Sequence, residues 1–343
     1  MRLDSANRSF AALAISSLLL GVYVLCGVIG CVLLPLLVSR LSDHGLSGLL
    51  GHGQDLLPAL AFVLLVGGGV VLGVRSLRRG ILASRTLARR VSSLALALPG
   101  ELAQAASAAG LVGRVVLVDC DEWFSFAYGA LTPQVAVSRG LFDGVSEQEL
   151  RAVLEHERYH VRNLDPLKVL LARALPATFF FVPALAALRA RYVAGRELAA
   201  DRRAVRTCGR DPLVSALLKV VRGPAWGELQ AAAAIGGSEL LDLRVAQLES
   251  GSEPKLGALT ARGVALSALG ALVFAGAPIA SIAGLGGPSA VSQASGTGMS
   301  VGDLLGGAMC VLPFALGGFA VYRWIAWRAR DPLTGPTPRT TLM

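Results

Sequence analysis

Within the stretch RAVLEHERYHVRNLDPLK at 151–168, His156, Glu157 and His160 stand in the order His-Glu-x-x-His. On a helix, residues four apart return to within about 40° of each other, so both imidazoles can aim at one ion. Glu157, beside the first histidine, can then hold and deprotonate a water on the open side of a metal. That is the chemistry of zinc-dependent peptide hydrolysis. The alternative is a surface histidine pair, and composition alone yields such a pattern about once in several hundred chains of this kind. Against accident, the motif uses two of only four histidines in 343 residues.

A catalytic zinc keeps three protein ligands and leaves a fourth position to water. Glu197, in the stretch Arg196-Glu197-Leu198-Ala199-Ala200-Asp201, is the candidate third ligand. Glu197 and Asp201 are again four apart, a spacing at which like charges repel in an isolated helix. The cost makes sense if Glu197 binds the metal while Asp201 accepts a hydrogen bond from a ligand histidine and fixes its tautomer. By itself the stretch would be an ordinary solvated face neutralised by Arg196, Arg202 and Arg203. Beside His-Glu-x-x-His, the metal reading outweighs it.

The elements that must carry these residues are legible in part. Ser146 and Glu149 form a capping box that opens a helix, and Asp165-Pro166 marks its break, so the helix is expected to run to about Asn163. Upstream, the short β-branched runs at 114–119 and 134–138 suggest a small sheet, separated by the aromatic stretch 124–129. Residues Gln134, Val135, Ala136, Val137 and Ser138 are the expected exposed edge to which a peptide substrate adds as a strand. Arg244, Tyr159 and Tyr192 are alternative stabilisers of the developing oxyanion, and the spacing does not choose among them.

The rest of the chain points to a membrane. It is 54% hydrophobic and only 16% charged, with a mean hydropathy of +0.60, too apolar for an ordinary soluble domain. Apolar runs at 10–38, 57–74, 264–282 and 304–325 are read as four spans, a helix needing about 20 apolar residues to cross. The first is too long for a secretory leader and lacks a clean cleavage site. Arginines at 75, 78, 79, 85, 89 and 90 follow the second span, and 328, 330 and 339 follow the fourth. By the positive-inside rule both termini and the middle segment lie in the cytoplasm. The expected division is a membrane hairpin at 1–74, a peptidase domain at 75–260, and a second hairpin with a short cytoplasmic tail at 261–343.

A further apolar run, 167–188, is long enough to span. It contains Lys168, Arg173, Pro176 and Pro183. Only 36 residues separate His160 from Glu197, and both must reach one ion, so this run is read as a broken hairpin or a helix at the membrane surface. Net charge is +9, but no basic stripe with interleaved aromatics appears, and direct nucleic-acid binding is not expected. Cys26, Cys31 and Cys310 lie in apolar runs, and none of the five cysteines has metal-like spacing.

The blocks FAYGALTPQVAVSRGLFDGVSEQELRAVLEHERYHVRNLDPLK and FFFVPALAALRARYVAGRELAADRRAV, together spanning about 124–208, resemble the BlaR/MecR-type membrane peptidases. The resemblance implies a mainly α, multi-pass membrane protein with a gluzincin-type α+β zinc peptidase domain between its transmembrane helices. It implies one Zn2+ held by His156, His160 and Glu197, with Glu157 as general base and Asp201 supporting a ligand. It makes Arg244 similar to an arginine on a later helix of related gluzincins. It further implies a protein or peptide substrate such as a transcriptional repressor, a bacterial plasma membrane with the active site on its cytoplasmic side, and contact with the lipid bilayer. Homo-oligomerisation is compatible with it. Sensing members carry a large extracellular penicillin-binding domain after the last span, which has no counterpart in the short tail here. The Ser252-Glu253-Pro254-Lys255 sequence spells SxxK without the rest of such a domain. The stimulus is therefore expected through the spans, short loops or partners.

Two other readings compete. An HtpX or CAAX-prenyl type of membrane gluzincin shares His-Glu-x-x-His and Glu-x-x-x-Asp and would serve quality control or processing of membrane proteins. The compact 36-residue link and the Asp165-Pro166-Leu167 that follows the motif favour the BlaR/MecR type. From another class, a non-catalytic membrane sensor or scaffold would use the same residues for a structural metal.

Overall fold

The computed structural model describes residues 4–29, 56–222, 238–254, 256, 262–268 and 270. In chain order the elements are α1 (Ser5–Val28), α2 (Leu56–Ser93), β1 (Ala95–Leu96), α3 (Gly100–Ala108), β2 (Val115–Val118), β3 (Ser125–Tyr128), β4 (Gln134–Ser138), α4 (Arg139–Gly144), α5 (Glu147–Arg162), α6 (Asp165–Thr178), α7 (Pro183–Cys208), α8 (Arg210–Arg222) and α9 (Ser238–Ser250). The fold is mainly helical with one small mixed sheet. Contacts divide the chain into two units, one of residues 1–17 and 67–271 that holds the sheet and the histidine motif, the other of 18–66 and 272–343.

The four strands lie in the order β1-β2-β4-β3. β4 runs parallel to β2, pairing Val116 with Ala136, and antiparallel to β3, pairing Phe126 with Ala136. This overturns the expectation that Gln134–Ser138 is a free edge, because both of its sides are hydrogen-bonded. Val135, Ala136, Val137 and Ser138 are all buried. An apolar run without polar alternation suits a strand covered on both faces, and pairing on both sides makes β4 a central strand. The edge beyond β4 is β3, which the sequence presents as an aromatic linker.

Successive strand side chains alternate between two cores. On one face Val115, Leu117, Val135 and Val137 pack against Leu102 and Ala106 of α3 and Leu150, Val153 and Leu154 of α5. On the other, Val118, Phe126, Tyr128 and Ala136 pack with Val91 of α2. Leu154 is fully buried, so truncation to Ala would cost about 2–5 kcal/mol. α5 is thus fixed against the sheet by its apolar face.

α5 begins and ends where its chemistry says. The Ser146 N–H donates to Glu149 Oε2 at 2.7 Å and the Glu149 N–H to Ser146 Oγ at 3.4 Å, completing the capping box. Asn163 caps the far end. Leu164 then adopts φ 53°, a left-handed conformation that costs an L-residue roughly 1–2 kcal/mol. That turn brings α6 back beneath α5. The apolar run at 167–188 divides between α6, a bend at 179–182 and α7, and the two helices pack against each other.

α1 contains, at Ser5–Cys26, a helix long and apolar enough to cross a membrane, with 22% of it buried. Ile15, Leu18, Val22 and Leu25 expose their apolar side chains. α2 runs without interruption from the expected second span into the arginine-rich segment, with Val70, Val71, Leu72 and Val74 exposed just before Arg75. The expected span at 304–325 lies outside the described residues, as does most of that at 264–282.

Candidate active site

α5 and α7, the most extensively packed pair of helices, bring together the two halves of the expected site. His156, His160 and Glu197 each offer a ligand atom, and these atoms lie within 4.8 Å of one another. The two Nε2 atoms are 3.2 Å apart. Glu197 Oε2 is 3.4 Å from His156 Nε2, and Oε1 is 3.7 Å from His160 Nε2. Two imidazole nitrogens and a carboxylate form a donor set suited to zinc with an open position.

Each of these side chains is held from behind. Asp201 Oδ1 lies 2.8 Å from His156 Nδ1, and the Arg244 guanidinium donates two 2.8 Å hydrogen bonds to the same carboxylate. Asp165 Oδ2 lies 2.7 Å from His160 Nδ1, and Tyr192 donates its hydroxyl to Asp165 Oδ1 at 2.9 Å. Arg196 stands 3.1 Å from Glu197 Oε1. Such contacts leave the Nε2 atoms free to face an ion and fix the ring planes.

The charges are consistent with this arrangement. Burial pushes the Glu197 carboxyl up, but His160 and Arg196 beside it hold it well below the usual carboxylate range. Asp201 is likewise pushed up by burial and brought down to about 2 by Arg244 and His156. Burial lowers His156, yet its bonds to Asp201 and Glu197 outweigh that and raise it to about 9.

Glu157 is buried, and Ser125 of β3 donates a 2.8 Å hydrogen bond to its Oε1. Its Oε2 is buried without a hydrogen-bond partner among the described residues. An orphaned carboxylate oxygen beside the donor set is costly unless it serves a proton or a water. Both observations fit a metal-activated water. The cleft is lined by His156, Glu157, His160 and Glu197, by β3, and by apolar side chains including Leu213 and Leu217.

Gln134–Ser138 does not line this cleft as an edge; Ser125–Tyr128 does. Arg244 lines it while its guanidinium grips Asp201. Tyr159 and Tyr192 commit their hydroxyls to Asp4 and Asp165. Sequence reasoning missed Asp165 and Ser125 as parts of the site. Asp165 was legible only as a helix break, and its reach to His160 depends on the left-handed Leu164 turn.

Residues 50–248, more than half of the chain, match the family model described as BlaR1 peptidase M56. No solved structure matches the chain.

Proposed function

We propose, for a chain that belongs to the BlaR1 peptidase M56 family and is therefore a metallopeptidase acting on protein substrates, that it is an integral-membrane zinc endopeptidase working at the cytoplasmic face. Its role is regulated cleavage of a transcriptional repressor or another signalling protein. The observation that carries this is the buried His156, His160 and Glu197 group with the unpartnered Glu157 oxygen beside it.

His156, His160 and Glu197 would hold the ion. When bound, zinc supplies Lewis-acid polarisation of the scissile carbonyl and lowers the pKa of water toward neutrality. Glu157 takes the proton of the attacking water and delivers it to the leaving amine. Ser125 keeps one Glu157 oxygen fixed, which leaves the other for the proton. The substrate adds as an extended strand to β3, whose only strand partner among the described residues is β4. Backbone pairing of this kind places the scissile bond near Glu157 without demanding a particular sequence, and the apolar wall selects side chains.

The membrane assignment is supported by the exposed apolar surface of α1 and by the arginines that follow the apolar part of α2.

The test is Glu157→Gln. Removing the general base lowers turnover about 10²–10⁴-fold, while zinc, measured by metal analysis of the purified chain, stays bound. N-terminal labelling of wild-type and variant cells then finds new protein N-termini in the wild type alone. Equal labelling in both, with zinc retained, would sink the peptidase role and leave a structural metal.

A further inference from the structure

The first two turns of α1 reach the back of the candidate metal site by two routes. On the first, Tyr159 donates its hydroxyl to Asp4 Oδ2 at 2.6 Å, and its ring stands edge-on to His160, 5.7 Å between centroids at 82°. On the second, the Phe10 ring lies 5.2 Å from that of Tyr192, which is fully buried and donates to the carboxylate that faces His160 Nδ1.

Between the routes, Asn7 ties down the strained turn that delivers Asp165. Its Nδ2 donates to Asn163 Oδ1 at 3.2 Å, and Lys168 Nζ donates to its Oδ1 at 2.6 Å. Asn163 precedes Leu164, the residue with φ 53°, and the Lys168 N–H donates to the Leu164 carbonyl. Lys168 also stands 5.6 Å over the Phe10 ring. On the helix that bears Glu197, Gly195 lets α1 approach: a Cβ there would meet the Ala6 Cα at 3.3 Å.

An anchor for a membrane helix needs only apolar contact. Here polar contacts, buried in part, are added to the apolar ones, and the two routes end on His160 from two sides. We propose that the first two turns of α1, through Asp4, Asn7 and Phe10, position His160 for metal binding, so that the metal centre is complete only while those turns are docked. The three are positioning residues: they touch neither substrate nor ion and act through Tyr159, Asp165 and Tyr192. The proposal rests on the metallopeptidase reading of the site.

The experiment uses the full chain in detergent and measures zinc affinity by competition with a chromophoric chelator, alongside helical content and unfolding temperature. Asp4→Ala and Phe10→Ala should each weaken zinc binding about 10-fold, within the range for residues that orient metal ligands. Phe10→Tyr, which keeps the ring, should restore it. Asp4→Ala combined with Tyr159→Phe should be no weaker than Asp4→Ala alone, because both remove the same hydrogen bond. Arg139→Ala, which breaks a surface pair with Asp119 and Asp121, should leave affinity unchanged. Wild-type zinc affinity in Asp4→Ala and Phe10→Ala, with only the unfolding temperature lowered, would overturn the proposal and leave a plain anchor. If Phe10→Ala does not fold, Asp4→Ala decides alone. Absence of zinc from the wild type would instead overturn the metal reading, and this proposal with it.

Discussion

The pair of histidines differs in what stands behind each ring. His156 leans on Asp201, which is fully buried and neutralised by two hydrogen bonds from Arg244. His160 leans on Asp165, which among the described residues is neutralised by no cation in direct contact and is held by the Tyr192 hydroxyl. Asp201→Asn keeps the shape but removes the charge that favours the correct His156 tautomer, and zinc affinity should fall about 10–100-fold in chelator competition. Arg244→Met has a different outcome. It strands a buried carboxylate, which costs about 3–5 kcal/mol, so the unfolding temperature should fall sharply in a thermal melt. An arginine that served only an oxyanion would lower turnover and leave stability alone.

At the scale of elements, α5 is positioned at its start by Glu149. That carboxylate caps the helix and also receives the Ser215 hydroxyl and Lys219 Nζ from α8, the latter at 2.7 Å. Burial raises its pKa, but Lys219, Ser215 and the Ser146 backbone outweigh this and bring it down to about 2 from 4.5. A depressed carboxylate contributes stability above its unfolded pKa and loses it as pH falls through the folded value. The contribution is therefore complete above about pH 4.5 and fades toward pH 2. Glu149→Gln can still cap through its amide oxygen but cannot pair with Lys219. Its unfolding temperature should be lower than wild type at pH 6, and the two curves should converge as pH falls from 4.5 toward 2. Parallel curves would show that the Lys219 pair contributes nothing.

For the whole molecule, the reading makes a topological prediction. A cysteine in place of Ser47, which stands between the first two expected spans and outside the described residues, should react with a membrane-impermeant maleimide on intact cells. One in place of Asp143, in the unit that holds the candidate metal site, should react only after lysis. The native cysteines are first replaced by Ser. Labelling of Asp143→Cys on intact cells would put the peptidase domain on the other side. The docking of α1 onto α5 and α7 gives this arrangement its interest, since the end of an apolar helix then bears on both helices that supply the donor set.

The motif, the candidate third ligand and the capped helix are legible in the chain because each shows as a short local pattern. Four-residue spacing sets two side chains on one helical face, and a serine three residues before a glutamate closes a helix start whatever surrounds it. The family blocks were legible for the same reason, as runs of contiguous residues. What depended on distant pairing was not. The β-branched residues of Gln134–Ser138 show that a strand forms but not which strands flank it; β2 and β3 fill both sides. Asp165 looked like punctuation until Leu164 turned it under His160. Asp4 lies 155 residues from the Tyr159 it meets, Phe10 is still farther along the chain from Tyr192, and no local pattern encodes such meetings. Hydrogen bonds along a helix follow from neighbours in sequence, whereas sheet order and the support of a ligand follow from which surfaces bury one another when the chain closes on itself.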